Sequence, residues 1–297
     1  MQEVILIMGP TASGKTDLAI SIAKKIPTKI ISVDSALIYQ DMNIGTAKPD
    51  SQTLKEFPHS LVNIISPEEE YSVQNFMIDA KVQIKQAFDE NKTPILVGGT
   101  AFYFNSIQYG LSNLPESTFD SRKYFDDLLQ LKGSVFLHNE LSKIDKISST
   151  RIHFNDSQRV TRALEVYSLS GKPMSELQGS KVGKLNFPLK KIVLMPERKI
   201  LHQRIEKRFF QMMESGFLDE MNFLRNKYNL SLNLPSMRSV GYRQAWQYLE
   251  GEIDKNLMIE KAIIATRQLC KRQSTWFKNE KNALFIDDTS KFNISNL

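Results

Sequence analysis

Residues Gly9, Pro10, Thr11, Ala12, Ser13, Gly14, Lys15 and Thr16 form a complete G-x-x-x-x-G-K-[ST] match, the pattern in which glycines let backbone N–H groups curl around phosphate oxygens. Lys15 supplies a point charge to a terminal phosphate, the start of the following helix adds partial positive charge, and the Thr16 hydroxyl is placed to ligate Mg²⁺. Such a cradle reads phosphate charge and geometry. It does not distinguish ATP, GTP or another pyrophosphate.

A second chemical element is Asp34, which closes the apolar run Ile30-Ile31-Ser32-Val33. It is expected at the C-terminal edge of a strand adjacent to the phosphate loop, where doubly wound sheets bind ligands. Two roles compete for it, indirect Mg²⁺ ligation and general-base catalysis, against a plain turn-forming Asp-Ser. A third element is Ile95-Leu96-Val97-Gly98-Gly99-Thr100, in which the glycines would let backbone approach a ligand and Thr100 would present a hydroxyl. A nucleotide hydrolase commonly carries an acidic residue at such a strand end, so Gly98-Gly99 weakens an ATPase reading.

The elements that must hold these groups follow from patterning. Val4–Met8, Lys29–Val33 and Pro94–Val97 read as strands, with Lys15–Ile26 and Tyr71–Asn91 as helices between them. This is βαβ punctuation for a parallel sheet flanked by helices, an α/β phosphate-loop fold. From Pro115 to about Lys184 amphipathic helices replace strand signals, including Ser121–Leu131 and Asp156–Ser170 with Gly171 beyond. Strands return at Lys191–Met195 and Ala283–Ile286. The expected organisation is a core over 1–112, a helical insertion over 113–186, and a second core part over 187–297 with basic C-terminal helices. Residues after Asp288 are expected to fray.

Bulk properties narrow the class. Residues 1–150 carry 14 Lys+Arg against 18 Asp+Glu, a balance of −4, and the remainder carries 25 against 15, a balance of +10. A basic half beside an acidic one points to an anionic partner such as nucleic acid. Cys270 is the sole cysteine, which excludes an internal disulfide and fits a reducing, cytoplasmic setting. His59, His138, His153 and His202 lack metal-ligand spacing. No stretch approaches the roughly 20 apolar residues of a membrane span, and a monomer is expected.

Taken in order, GPTASGKT, IISVDSALIY, MNIGTAKP at 42–49 and PILVGGT resemble the tRNA dimethylallyltransferases. The resemblance continues through 151–173, 202–220, 234–252 and 265–277, nearly the whole chain. Leu37 stands where many members carry Gln, and Phe154 where Pro is frequent. Eukaryotic members carry a zinc finger for which one cysteine and four histidines offer no ligand set, so the likeness is to the bacterial form.

The resemblance implies transfer of a dimethylallyl group from dimethylallyl diphosphate to N6 of the adenine 3′ of the anticodon, position 37, in tRNAs reading codons that begin with U. It implies Mg²⁺ as cofactor, Lys15 and Arg208 as cations on the departing diphosphate, and Asp34 as base with Thr100 as its hydrogen-bond partner. Arg204 lies one turn before Arg208 on the same helix face. The implied tRNA-binding positions are Asp34, Ser35, Ala36, Leu37, Thr100, Arg122, Gln158, Arg159, Val160, Thr161, Arg162, Arg238, Ser239, Val240, Gly241, Tyr242, Arg243, Lys271, Arg272, Gln273, Trp276 and Lys278. Around Trp276, cations interleave with aromatics, which suits base stacking, although Trp276 and Phe277 equally suit anchoring of a terminal helix. The rivals are a P-loop small-molecule kinase using ATP and a non-catalytic RNA-binding module.

Overall fold

The computed structural model describes residues 2–179 and 181–293. The chain forms two compact units, Met1–Asn105 with Asn186–Leu297, and Ser106–Leu185.

The first unit begins with β1 (Val4–Met8), α1 (Lys15–Ala23), β2 (Thr28–Val33), α2 (Ser51–Glu56), β3 (His59–Ser60), α3 (Val73–Asp89), β4 (Thr93–Gly98) and α4 (Ala101–Tyr109). Helix α4 carries the chain into the second unit, which holds β5 (Leu111–Ser112), α5 (Phe119–Ile144), α6 (Lys146–Arg151), α7 (Ser157–Ser170), α8 (Met174–Leu177) and β6 (Lys181–Val182). The chain then returns through β7 (Leu189–Leu194), α9 (Arg198–Glu214), α10 (Phe217–Lys227), α11 (Tyr242–Leu249), α12 (Lys255–Phe277) and β8 (Ala283–Ile286).

Six parallel strands make the central sheet, in the order β3-β2-β4-β1-β7-β8. Every residue of β1 is buried, as a strand covered on both faces requires. The spatial order corrects one expectation: β4, not β2, is the neighbour of β1 on that side, so Asp34 sits one strand removed from the phosphate loop. Helix α3 starts at a reciprocal Ser72/Asn75 capping box and buries Phe76, Ala80, Ile84 and Ala87 at helical spacing. Helix α1 stops at Ala23, short of Ile26: the Lys25 N–H tightens the last turn by taking the Ile22 carbonyl at i−3, and Pro27 has no N–H to carry the ladder on.

The second unit starts at Ser106, before the expected boundary at 113. Its ends are joined by the antiparallel pair Leu111↔Val182 and Ser112↔Lys181, a ladder too short to register as periodicity. Gly110 (φ +82°) is required there, since a Cβ would stand 2.5 Å from the Val182 carbonyl oxygen. Helix α5 runs well past the expected Leu131 and is broken at Gly133 (φ 78°, ψ 163°). Helix α7 matches the expected span and ends on left-handed Gly171.

Instead of fraying at once after Asp288, the chain makes a 3₁₀ turn over Thr289–Lys291, capped by the Asp288 side chain. Residues 294–297 lie outside the described residues.

Candidate active site

The phosphate loop connects β1 to α1, and its conformation explains its composition. Gly14 is left-handed (φ 94°), Ala12 has φ 64°, and a Cβ on Gly9 would lie 2.4 Å from the carbonyl oxygen of Leu194 at the end of β7. Lys15 Nζ donates to the Pro10 carbonyl at 2.7 Å and faces Ser13 Oγ at 3.5 Å. Thr16 occupies the first turn of α1.

Two distant helices complete the loop. From α9, Arg208 Nη2 donates to Thr11 Oγ1 at 2.6 Å, and Arg204 Nη1 reaches the Ala12 carbonyl at 3.4 Å. From α12, Gln273 Oε1 accepts the Thr11 N–H at 2.8 Å. Leu201, Ile205 and Cys270 form the apolar backing against which Ala12 packs.

The cations here are held without full compensation. Burial, the largest influence, pushes the Lys15 ammonium down to about 8, with Arg208 acting in the same direction and Asp34 opposing. Burial also lowers Arg208, again opposed by Asp34, and raises the Cys270 thiol. A pair of half-buried, under-compensated cations can receive an incoming anion.

A pH dependence follows. A bound diphosphate favours charged Lys15, whose proton is present below about pH 8 and is lost above it. Affinity for inorganic diphosphate therefore weakens about tenfold per pH unit above that point, and binding near pH 8 takes up protons from buffer. Calorimetric titration in buffers of different ionisation heat measures the uptake. Lys15→Arg, which stays charged, loses this dependence.

At the neighbouring strand ends, Asp34 Oδ1 accepts the N–H groups of Ala36 (2.9 Å) and Leu37 (3.4 Å), so the carboxylate shapes its own turn. Thr100 Oγ1 accepts the Ser35 N–H at 3.1 Å and lies 3.4 Å from Ser35 Oγ. The hydroxyl is thus tied to Ser35, not directly to Asp34 as expected. The two glycines are also fixed by their protein neighbours. A Cβ on Gly98 would fall 1.9 Å from the Val33 carbonyl oxygen, and one on Gly99 would fall 2.6 Å from Gln273 Nε2. Close approach of the Val33 backbone at Gly98 and of the Gln273 side chain at Gly99 leaves no room for a Cβ at either position.

The chain leaving this turn is clamped. Glu220 of α10 accepts N–H groups from Asn43, Ile44 and Gly45 at 2.8, 2.7 and 3.1 Å and the Tyr242 hydroxyl at 2.6 Å. Lys48 donates to the Tyr39 carbonyl and to Asn43 and Asn63 side chains. These anchors account for the MNIGTAKP segment and were not singled out from sequence; the Gly45 packed against Phe217 and Tyr242 is the signal that could have found them.

The RNA-binding candidates divide by exposure. In the first unit Arg238, Arg243, Lys271, Arg272 and Lys278 are exposed, Trp276 is 50% exposed, and Phe277 is core at 2%, edge-on to Phe104. Ser239 and Val240 are half-buried and Gly241 caps α11. Tyr242 is fully buried, its ring against Phe217 and its hydroxyl on Glu220, which removes its side chain from any RNA-facing surface.

In the second unit Arg122, Gln158 and Arg159 are exposed and Thr161 is half-buried. Val160 is fully buried on the inner face of α7 with Ala163 and Leu164, a correction of the same kind. Arg162 is committed to Glu165, Ser117 and the Pro115 carbonyl, so its charge is spent inside the unit. Among the described residues no cluster of His, Cys, Asp and Glu could hold a metal ion, and no helix is long and apolar enough to cross a membrane.

Comparison with known proteins gives one consistent picture. The family model described as IPP transferase matches residues 37–280, and one described as isopentenyl transferase matches residues 2–65. The chain is 60% identical over 287 residues to the tRNA dimethylallyltransferase of Ruthia magnifica subsp. Calyptogena magnifica, covering 97% of this chain and 94% of that protein. It is likewise 60% identical, with the same coverage, to the tRNA dimethylallyltransferase of Vesicomyosocius okutanii subsp. Calyptogena okutanii (strain HA). Among solved structures it resembles the full-length tRNA isopentenylpyrophosphate transferase of Bacillus halodurans (TM-score 0.71, 32% identity, 100% of this chain and 93% of that one). It also resembles a eukaryotic dimethylallyltransferase acting on tRNA (TM-score 0.80, 29% identity, 100% of this chain and 77% of that one).

Proposed function

From the premise that this chain belongs to the IPP transferase family, we propose that its phosphate loop clamps the diphosphate of dimethylallyl diphosphate as a leaving group, while Asp34 serves the acceptor adenine. The protein is a transferase that moves a prenyl group onto tRNA. The observation that carries the finer reading is the convergence of Lys15, Arg208 and the Thr11 backbone on one side with Asp34, electrostatically coupled to both cations, on the other.

In this reaction the allylic C1–O bond breaks and its electron pair leaves on the diphosphate, while adenine N6 forms the C1–N bond and gives up a proton. Lys15, Arg208 and the loop amides stabilise the growing negative charge, which is where preorganised dipoles and cations act most strongly. Asp34 takes the proton from N6, and Thr100 holds the turn that presents it by fixing Ser35. An adenine stacked in its loop exposes no path to these groups, so the base is flipped out to reach them. The acceptor we assign is the adenine at position 37 in tRNAs reading codons that begin with U.

Mg²⁺ fits this site as an ion carried with the diphosphate: the loop offers the Thr16 hydroxyl, and phosphate and water oxygens would fill the remaining positions, as hard octahedral Mg²⁺ prefers. When bound it would supply further neutralisation of the leaving group.

The direct test incubates purified protein with unmodified tRNA, Mg²⁺ and either dimethylallyl diphosphate or ATP, followed by mass spectrometry of the nucleosides. Prenylated adenosine formed only with the diphosphate donor supports the reading. ATP consumption without prenylation would establish a kinase instead.

Exposed cations of the first unit give a separate prediction. Arg238→Ala and Lys271→Ala weaken tRNA binding, and each reduces the magnitude of the slope of log K against log salt by about 0.7–0.9, since one fewer phosphate releases its counterions. Filter binding across a salt series measures this, and unchanged slopes would reassign both residues to ordinary solvated surface.

A further inference from the structure

Gln273 sits among exposed cations near the C-terminus of α12, yet neither end of its carboxamide faces outward. Its Oε1 accepts the Thr11 N–H at 2.8 Å, and its Nε2 donates to the Gly99 carbonyl at 2.8 Å. Gly99 leaves room for it, because a Cβ there would stand 2.6 Å from Nε2.

Thr11 belongs to the phosphate loop and is also held by Arg208. Gly99 precedes Thr100, whose hydroxyl holds the N–H of Ser35, the residue after Asp34. One side chain therefore completes a continuous link from the leaving-group cradle, through the end of β4, to the turn that carries the proton acceptor.

We propose that Gln273 is a positioning residue that sets the spacing between the diphosphate cradle and Asp34, an inference that rests on the transferase reading above. Two reacting partners must be held about 3–3.5 Å apart for an in-line displacement, and a slip of about 1 Å costs on the order of 100-fold in rate. A carboxamide suits the task because it offers one acceptor and one donor in a fixed plane, matched to an N–H on one side and a carbonyl on the other. The family resemblance places Gln273 with the RNA-binding residues beside it; the geometry spends both its hydrogen-bonding ends inside the protein.

The test compares wild type, Gln273→Ala and Gln273→Glu in single-turnover prenylation, with KM for both substrates, tRNA affinity and melting temperature measured alongside. Glu keeps the acceptor toward Thr11 and loses the donor toward Gly99. The expected result is a single-turnover rate down about 100-fold in the Ala variant and about tenfold in the Glu variant, with tRNA affinity and melting temperature near wild type.

A raised KM for tRNA at an unchanged rate would overturn the proposal in favour of a direct RNA contact. A melting temperature that falls in proportion to the rate would overturn it in favour of a general structural role. Wild type in the same assay separates the two levels. If it fails to prenylate, the transferase reading fails and takes this inference with it; if it turns over and the variants match it, the positioning role alone is wrong.

Discussion

Asp34→Asn lowers the single-turnover rate of prenyl transfer by about a thousandfold, within the range lost when a positioned general base is removed, while tRNA affinity and folding stability stay near wild type. The structure makes this substitution unusually clean. Oδ1 of Asp34 accepts the Ala36 and Leu37 N–H groups, and the amide oxygen of Asn can accept the same bonds, so the turn survives. What the amide cannot do is take a proton from N6. Asp34→Ala, by contrast, loses the turn and the base together, so it adds a defect in tRNA binding to the defect in rate. Near-normal turnover by Asp34→Asn, with loss in Asp34→Ala, would reduce Asp34 to its turn-forming role.

Arg208→Ala lowers the rate by about 100- to 1000-fold, or about 3–4 kcal/mol of transition-state stabilisation. Arg208 donates to Thr11 Oγ1 from a half-buried position and shares the Asp34 field with Lys15. A cation already partly desolvated in the resting protein gains strongly when negative charge develops beside it. Arg208→Lys restores charge but not the planar fork, so it recovers only part of the loss. Because Arg208 also helps hold the Lys15 ammonium low, its removal raises the pH at which diphosphate affinity begins to fall. Measuring the rate and the pH profile of diphosphate binding in both variants checks the two consequences together; an unchanged rate in Arg208→Ala would remove it from the leaving-group clamp.

The resemblance to tRNA dimethylallyltransferases agrees with what the comparisons return, a family model over residues 37–280 and relatives 60% identical over nearly the whole chain. Helix α7 was legible at both ends, at its Asp156 cap and the left-handed Gly171, and α3 to within two residues at each end. The two-residue pair β5–β6 was not, because a ladder that short carries no period.

Side-chain direction was the weakest point. Val160 and Tyr242 lie within segments that match family tRNA-binding stretches, yet both are fully buried. A contiguous stretch of helix presents only part of its circumference to a ligand, and the rest must pack. Trp276 and Phe277 divide in the same way, one outward and one into the core.

The phosphate loop, the strand-turn-helix context around it and the basic second half are properties of local sequence, because backbone curvature at glycine, helix periodicity and charge are all written within a few residues of where they act. The neighbour relations are not local. Strand β4 separates β1 from β2, so the partners of Asp34 and of the glycines at 98 and 99 could be assigned only once the sheet was assembled. Thr11 meets Gln273 across 262 positions of sequence and Arg208 across 197. Contacts of that span exist only because α9 and α12 pack on each other and against the phosphate loop, and it is this packing that completes the loop with groups no neighbouring stretch of sequence supplies.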